Sequence, residues 1–249
     1  NVAVGMQAGK LMTTGVENVI MGGLAGDALT TSSYNVAIGH AALGSEDVGV
    51  KSTAIGAYAL AAQNVDGDVL NTAVGYFAGK DITAGTHNTL IGGISGQILT
   101  EGNLNVAIGY GTLAAETLGD RSVAIGANAL NAQANTSDVD VYNVAIGYEA
   151  GTLITTAVNN TIIGGLAGNA ITTGGFNVAI GYDSLGLNTI GNSNVAIGTG
   201  AMATNVAADR NVAIGTDALE NMTAANTADH YNVAVGYHAG NSITSGVQN

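Results

Sequence analysis

The sequence predicts an all-β fold, a parallel β-solenoid or β-roll of about 14 rungs, and three observations carry that expectation. A motif of the form N-V-A-I-G returns at a near-constant spacing along the whole chain, the interval that separates Asn1 from Asn18 and Asn18 from Asn35. The composition suits thin stacked layers, being 47% hydrophobic but only 4% aromatic, with 38 Gly and a mean hydropathy of +0.31. Charged residues make up 9%, against roughly 25% in ordinary soluble domains, which argues against one round core. The apolar content is also too high for a disordered chain.

The motif begins at Asn1, Asn18, Asn35, Ser52, Asn71, Asn88, Asn105, Ser122, Asn143, Asn160, Asn177, Asn194, Asn211 and Asn232. Three steps exceed the common interval: Ser52 to Asn71 by two residues, and Ser122 to Asn143 and Asn211 to Asn232 by four each. The extra residues fall just ahead of a new motif, the common phase at which repeat proteins carry loops. The variant N-V-I-M-G-G-L-A-G at Asn18 has counterparts at Asn88 and again at Asn160, so four rungs form a larger period. The chain reads as one repeat array, 1–249, with super-repeats 1–70, 71–142 and 143–210 followed by two further rungs, 211–249. Phase denotes a residue's place in its rung, counted from the first residue of the motif.

Val-Ala-Ile at phases two to four is short, β-branched and bounded by Asn and Gly, which favours a strand. A second strand is expected near phase twelve, where Met12, Leu29, Ile82, Leu99, Ile154, Ile171 and Ile243 each precede Thr. Gly15, Gly85 and their counterparts then turn the chain back. Stacked parallel rungs place backbone hydrogen bonds along the axis, at about 4.8 Å per rung. The twelve first-phase asparagines are expected to form a ladder whose amides satisfy turn backbone that no strand partner reaches.

Within the strand, Val2 and Val4 point to one face and Ala3 and Gly5 to the other, and both faces are apolar in nearly every rung. Strands of that kind are normally buried on both sides. One face fills the rung's interior. The Ala row, left open, would be a long apolar patch, and its small side chains suit the close approach of another chain. A homo-oligomer is therefore expected, with a trimer as the simplest closed arrangement for a fibre. Where phase three enlarges to Ile20, Leu90 or Ile162, phase six becomes Gly23, Gly93 or Gly165 and phase seven Leu24, Ile94 or Leu166, an exchange that reads as packing.

The chemistry the chain excludes is equally informative. A net charge of −13 repels nucleic acid. No apolar run reaches the ~18 residues of a membrane helix, so this segment is not expected to insert. Gly5 to Lys10 and Gly75 to Lys80 imitate phosphate-binding loops but have the wrong spacing and no following Ser or Thr. His40, His87, His230 and His238 fall at unrelated phases. Asp66 and Asp68, Asp138 and Asp140, and Asp229 sit in the inserted loops without the pattern of calcium-binding solenoids. Thr pairs such as Thr13-Thr14 and Thr30-Thr31 are interrupted before they build a flat ice-binding face. No catalytic, cofactor-binding or metal-ligating residue is assigned, no cofactor is expected, and the chain does not read as an enzyme. The surface candidates are the phase-six aromatics Tyr76, Tyr110, Tyr148, Tyr182 and Tyr237, which could meet a cell-surface glycan or protein receptor.

The runs N-V-A-I-G-Y-E-A-G from Asn143 and N-V-A-I-G-T-G-A-M from Asn194 resemble the head repeats of YadA-like trimeric autotransporter adhesins. Asn71 to Lys80, followed by Ile82-Thr83-Ala84-Gly85, is similar to the repeats of viral tail fibres and related tail-fibre-domain proteins. The resemblance spans the chain; the adhesin repeat is usually shorter than this one, and that family's coiled-coil stalk and membrane anchor do not appear in this sequence. It implies an extracellular location, on a virion tail fibre or a bacterial surface. The function it implies is that of a structural segment of a tail fibre or host-attachment appendage, a rigid trimeric rod; the alternative is the head of a trimeric bacterial adhesin. Starting and ending on the motif, the chain reads as a piece of a longer fibre protein.

Overall fold

A computed structural model describes residues 1–223 and 228–249. The described residues are all-β and contain no helix: the chain is a parallel β-solenoid of about fourteen turns. It divides into two compact units, one of residues 1–122 with 134–139, the other of residues 123–133 with 140–249.

Each motif forms a strand of three residues, from Val2–Val4 through Val106–Ile108 in the first unit and from Val123–Ile125 through Val233–Val235 in the second. Neighbouring strands pair in parallel with no slip between phases: Val19, Ile20 and Met21 face Val36, Ala37 and Ile38, and Val178, Ala179 and Ile180 face Val195, Ala196 and Ile197. The expected second strand is absent among the described residues. Phase twelve closes a tight turn, as where the Ile82 N–H donates to the Gly79 carbonyl, and its side chain points inward, Ile82, Leu99, Ile154 and Ile171 all being fully buried. Two-residue strands occur, among the described residues, only near the second insertion, at Gly119–Asp120 and Val139–Asp140. Axial bonding nevertheless runs past the strands. Leu24 N–H donates to the Met6 carbonyl and Tyr34 N–H to Val16 in the rung before, while Gly9 N–H donates to Ala25 in the rung after.

The strand faces are reversed from the sequence expectation. Ala37, Ala54, Ala73, Ala145 and Ala179 are fully buried inside the solenoid, and the Val, Thr and Ile side chains at phases two and four are half-buried or exposed on its surface. The Ala row is therefore not a subunit contact. Ladder asparagines such as Asn35, Asn88 and Asn177 are also fully buried, and a residue two places along a strand shares its face, which puts Ala inside with them.

Inside, apolar bulk alternates between two phases. Rungs with Gly at phase nine carry Ile, Leu or Met at phase twelve, as in Gly26 with Leu29, Gly79 with Ile82 and Gly151 with Ile154. Rungs with Leu or Met at phase nine mostly carry a polar residue there, as in Leu43 with Glu46, Leu60 with Gln63 and Leu185 with Asn188. The phase-three exchange belongs to the same device. A Cβ on Gly9 would lie 3.0 Å from Ile20 Cδ1, and one on Gly79 2.7 Å from Leu90 Cδ1, so the larger phase-three side chain occupies space left by phase-nine glycine. Gly23, Gly93 and Gly165 lie elsewhere, beneath the rings of His40, Tyr110 and Tyr182 in the next rung.

Phase seven, phase nine and the residue before each motif adopt left-handed backbone, as at Tyr58, Leu60 and Leu70, so the chain reverses repeatedly within every rung. Phase-five glycine is more demanding. Gly75 has φ +140, a region open essentially to Gly alone, and a Cβ there would stand 2.4 Å from the Gly92 carbonyl oxygen.

Candidate functional site

Each ladder asparagine makes two kinds of bond, one to the next rung and one across its own. Asn18 Oδ1 accepts the Asn35 backbone N–H at 2.9 Å, and Asn35 Oδ1 accepts that of Ser52 at 2.9 Å. Asn18 Nδ2 donates to the Ser32 carbonyl at 2.8 Å, and Asn35 Nδ2 to that of Gly49 at 3.0 Å. The pattern returns through Asn88, Asn105, Asn160 and Asn177 and ends with Asn232, which accepts the Asn249 N–H. Each side chain thus both donates to and accepts from buried backbone that a strand ladder leaves over.

Where Ser replaces Asn, an interior glutamine fills the gap. Gln63 Nε2 donates to Ser52 Oγ at 3.0 Å, and Gln63 Oε1 accepts Asn71 Nδ2 at 2.9 Å. In the second unit Gln133 Oε1 accepts Asn143 Nδ2 at 3.0 Å.

Two fully buried carboxylates, Glu46 and Glu116, share the phase of these glutamines and were not legible as interior residues. Glu46 Oε1 accepts the Gly49 N–H at 2.6 Å, and its Oε2 accepts Gln63 Nε2 at 3.0 Å. Glu116 Oε1 accepts N–H groups of Thr117, Gly119 and Asn135 at 2.8, 2.9 and 3.1 Å. Convergent N–H donors stabilise a buried carboxylate. The missed signal was their phase: both occupy the place that Ile, Leu or Met fills in the rungs with phase-nine glycine.

The acidic loops are tied down by cations one rung earlier. Lys51 Nζ lies 2.7 Å from Asp68 Oδ2, and Arg210 pairs with Asp229, which holds the guanidinium pKa above its ordinary value. Arg121 has the same phase ahead of the second loop. Tyr142 and Tyr231 hydroxyls donate to Asp140 and Asp229. The third insertion includes Thr227, which lies outside the described residues. Among the described residues no cluster of three His, Asp or Glu could hold a metal, and no pocket is present. Phase-thirteen threonines turn their hydroxyls onto the next rung, as from Thr155 to the Thr172 carbonyl at 3.1 Å and from Thr172 to Thr189 at 3.0 Å.

Two exposed surfaces remain. The outer strand face carries Val or Thr at phase two and Ile, Val or Met at phase four, with no charged residue in any rung. The phase-six tyrosines flank it: Tyr76, Tyr110, Tyr148 and Tyr182 are each more than half exposed, and Tyr237 is the most open of the five. The Glu149 carboxylate beside Tyr148 holds that phenol above its ordinary pKa, and partial burial raises the Asp183 carboxyl. No helix among the described residues is long and apolar enough to cross a membrane. Comparison of the chain with known protein families, with curated proteins and with solved structures finds no match.

Proposed function

We propose that this chain is a structural segment of a trimeric tail fibre or similar host-attachment appendage, extracellular in location, which holds a recognition tip away from its base. The observation that carries the reading is the uncharged outer strand face. In each unit, seven rungs at about 4.8 Å and a three-residue strand give an apolar strip on the order of 300 Å², comparable to the largest apolar patch on a typical monomer, which is often functional. Cyclic association of three copies would cover it. The interior supports a mechanical role, since the asparagine Oδ1 atoms tie each rung to the next and the described buried side-chain polar atoms are all hydrogen-bonded.

A bacterial adhesin head is the second reading, favoured by the exposed tyrosine row. Light scattering of the purified chain tests the common element of both. A mass near three times 24.5 kDa is expected; a folded monomer at that single mass overturns the oligomeric segment.

A further inference from the structure

Three consecutive rungs of the first unit break the repeat with aromatic side chains. Phase seven carries Gln7, Leu24, Ala41, Ile94 and Gly111 elsewhere in that unit, but Tyr58 and Phe77 in the Ser52 and Asn71 rungs. Their rings join His40 and Tyr76 in one cluster. His40 and Tyr58 meet edge to face with centroids 5.1 Å apart, Tyr58 and Phe77 likewise at 5.3 Å, and Tyr76 stacks on Phe77 at 3.9 Å. Lys80 Nζ stands 5.2 Å from the Phe77 ring centre and 3.1 Å from Asp81 Oδ1. His40 and Tyr76 are exposed, Tyr76 at 56%, while Tyr58, Phe77, Lys80 and Asp81 are half-buried at the edges.

We infer that this cluster is a saccharide-binding site for an extended, β-linked oligosaccharide lying along the stacking direction. The inference rests on the attachment role proposed above. Tyr58 and Phe77 belong to successive rungs with ring centres 5.3 Å apart and support the exposed rings, while His40 and Tyr76 lie two rungs apart, each rung advancing about 4.8 Å. Those intervals are close to the advance per sugar and per disaccharide of an extended β-1,4-linked chain. The exposed rings of His40 and Tyr76 offer apolar contact to the C–H side of a pyranose ring, while their imidazole and phenol groups keep a polar edge in reach. The Lys80–Asp81 pair sets a donor and an acceptor side by side at the margin, suited to vicinal hydroxyls. A few polar groups around an apolar platform is the usual composition of a small-molecule site. A second copy of the chain fits less well: a lateral contact between solenoids would repeat with every rung, and this cluster does not.

The test is titration of the 249-residue chain with cellohexaose, chitohexaose and maltohexaose, followed by calorimetry and by the NMR signals of the sugars. Saturable binding of a β-linked hexasaccharide, with the coiled α-linked one weaker, is expected. Tyr76→Ala and Phe77→Leu should each weaken it by about tenfold or more, whereas Tyr182→Ala, beside Asp183 in the other unit, should not. Phe77→Leu keeps apolar bulk, and circular dichroism with a melting curve verifies that each variant folds. Absence of saturable binding to all three sugars overturns the inference, as does equal weakening by Tyr182→Ala. A fall in oligomer mass on Tyr76→Ala would also overturn it, by making the cluster a contact between copies. Light scattering of the unsubstituted chain judges the oligomeric segment separately, so the two failures are distinguishable.

Discussion

At the scale of single residues, the fold depends on backbone that side chains would forbid. Phase-five glycine repeats at φ between +122 and +140, and its missing Cβ makes room for the carbonyl of the next rung at nearly every step. Gly75→Ala combines a conformation that L-residues avoid with a 2.4 Å approach to backbone that cannot step aside. It should cost about 3 kcal/mol or more. Gly67 provides the control: φ is +87, but nothing lies within 4 Å of its built Cβ, so Gly67→Ala should cost only about 1 kcal/mol. Urea midpoints of the two variants compare a crowded, strained site with an open one, and equal losses would contradict the close-approach argument. The asparagines work differently. Their value lies in having both a donor and an acceptor on one short side chain, which is why Ser52 needs Gln63 beside it.

At the scale of the rung, the interior is filled by exchange between phases nine and twelve, and the exchange should be measurable as coupling. Leu113→Gly alone opens a cavity in a fully buried row. Glu116→Ile alone overpacks that row and strips the acceptor from the Thr117, Gly119 and Asn135 N–H groups. Together they recreate the pairing found at Gly79 with Ile82, so the double variant should be more stable than the sum of the two losses by about 1–3 kcal/mol, with the unpaired N–H groups as the loss that remains. Strict additivity would mean that the two phases do not share space. This device also marks where sequence reasoning stops. Rung length, strand position and the Asn ladder were legible because each rests on one residue type recurring at one phase. The inward face was harder, since Ala and Val are both apolar; the parity of Ala with the buried Asn was the available clue. Phase twelve misled because an apolar residue before Thr looks like strand in about half the rungs, while Glu46 and Glu116 look like surface until the occupant of that phase is compared across rungs. The aromatic cluster was read only as a phase-six row, because its phase-seven members appear just twice.

At the scale of the whole molecule, charge and apolar surface are segregated: phases two and four carry no charge in a chain whose net charge is −13. Association through that face gains from burial of β-branched side chains and is opposed by repulsion between acidic chains. The two contributions respond to different changes. Raising ionic strength from low values to about 0.15 M shortens the screening length to about 8 Å, which weakens the longer-range repulsion and leaves burial intact, so the oligomer should become more complete as salt is added. Ile180→Lys with Ile197→Lys places two cations on the outer face of adjacent, paired strands. Neither side chain is part of the interior, so circular dichroism and melting of the single chain should change little. Three copies would have to bury those ammonium groups without partners, a penalty of several kcal/mol per ion, and the mass by light scattering should fall to the 24.5 kDa of one chain. Retention of the full oligomer mass in this double variant would show that the strand face is not the contact and that some other surface brings the copies together.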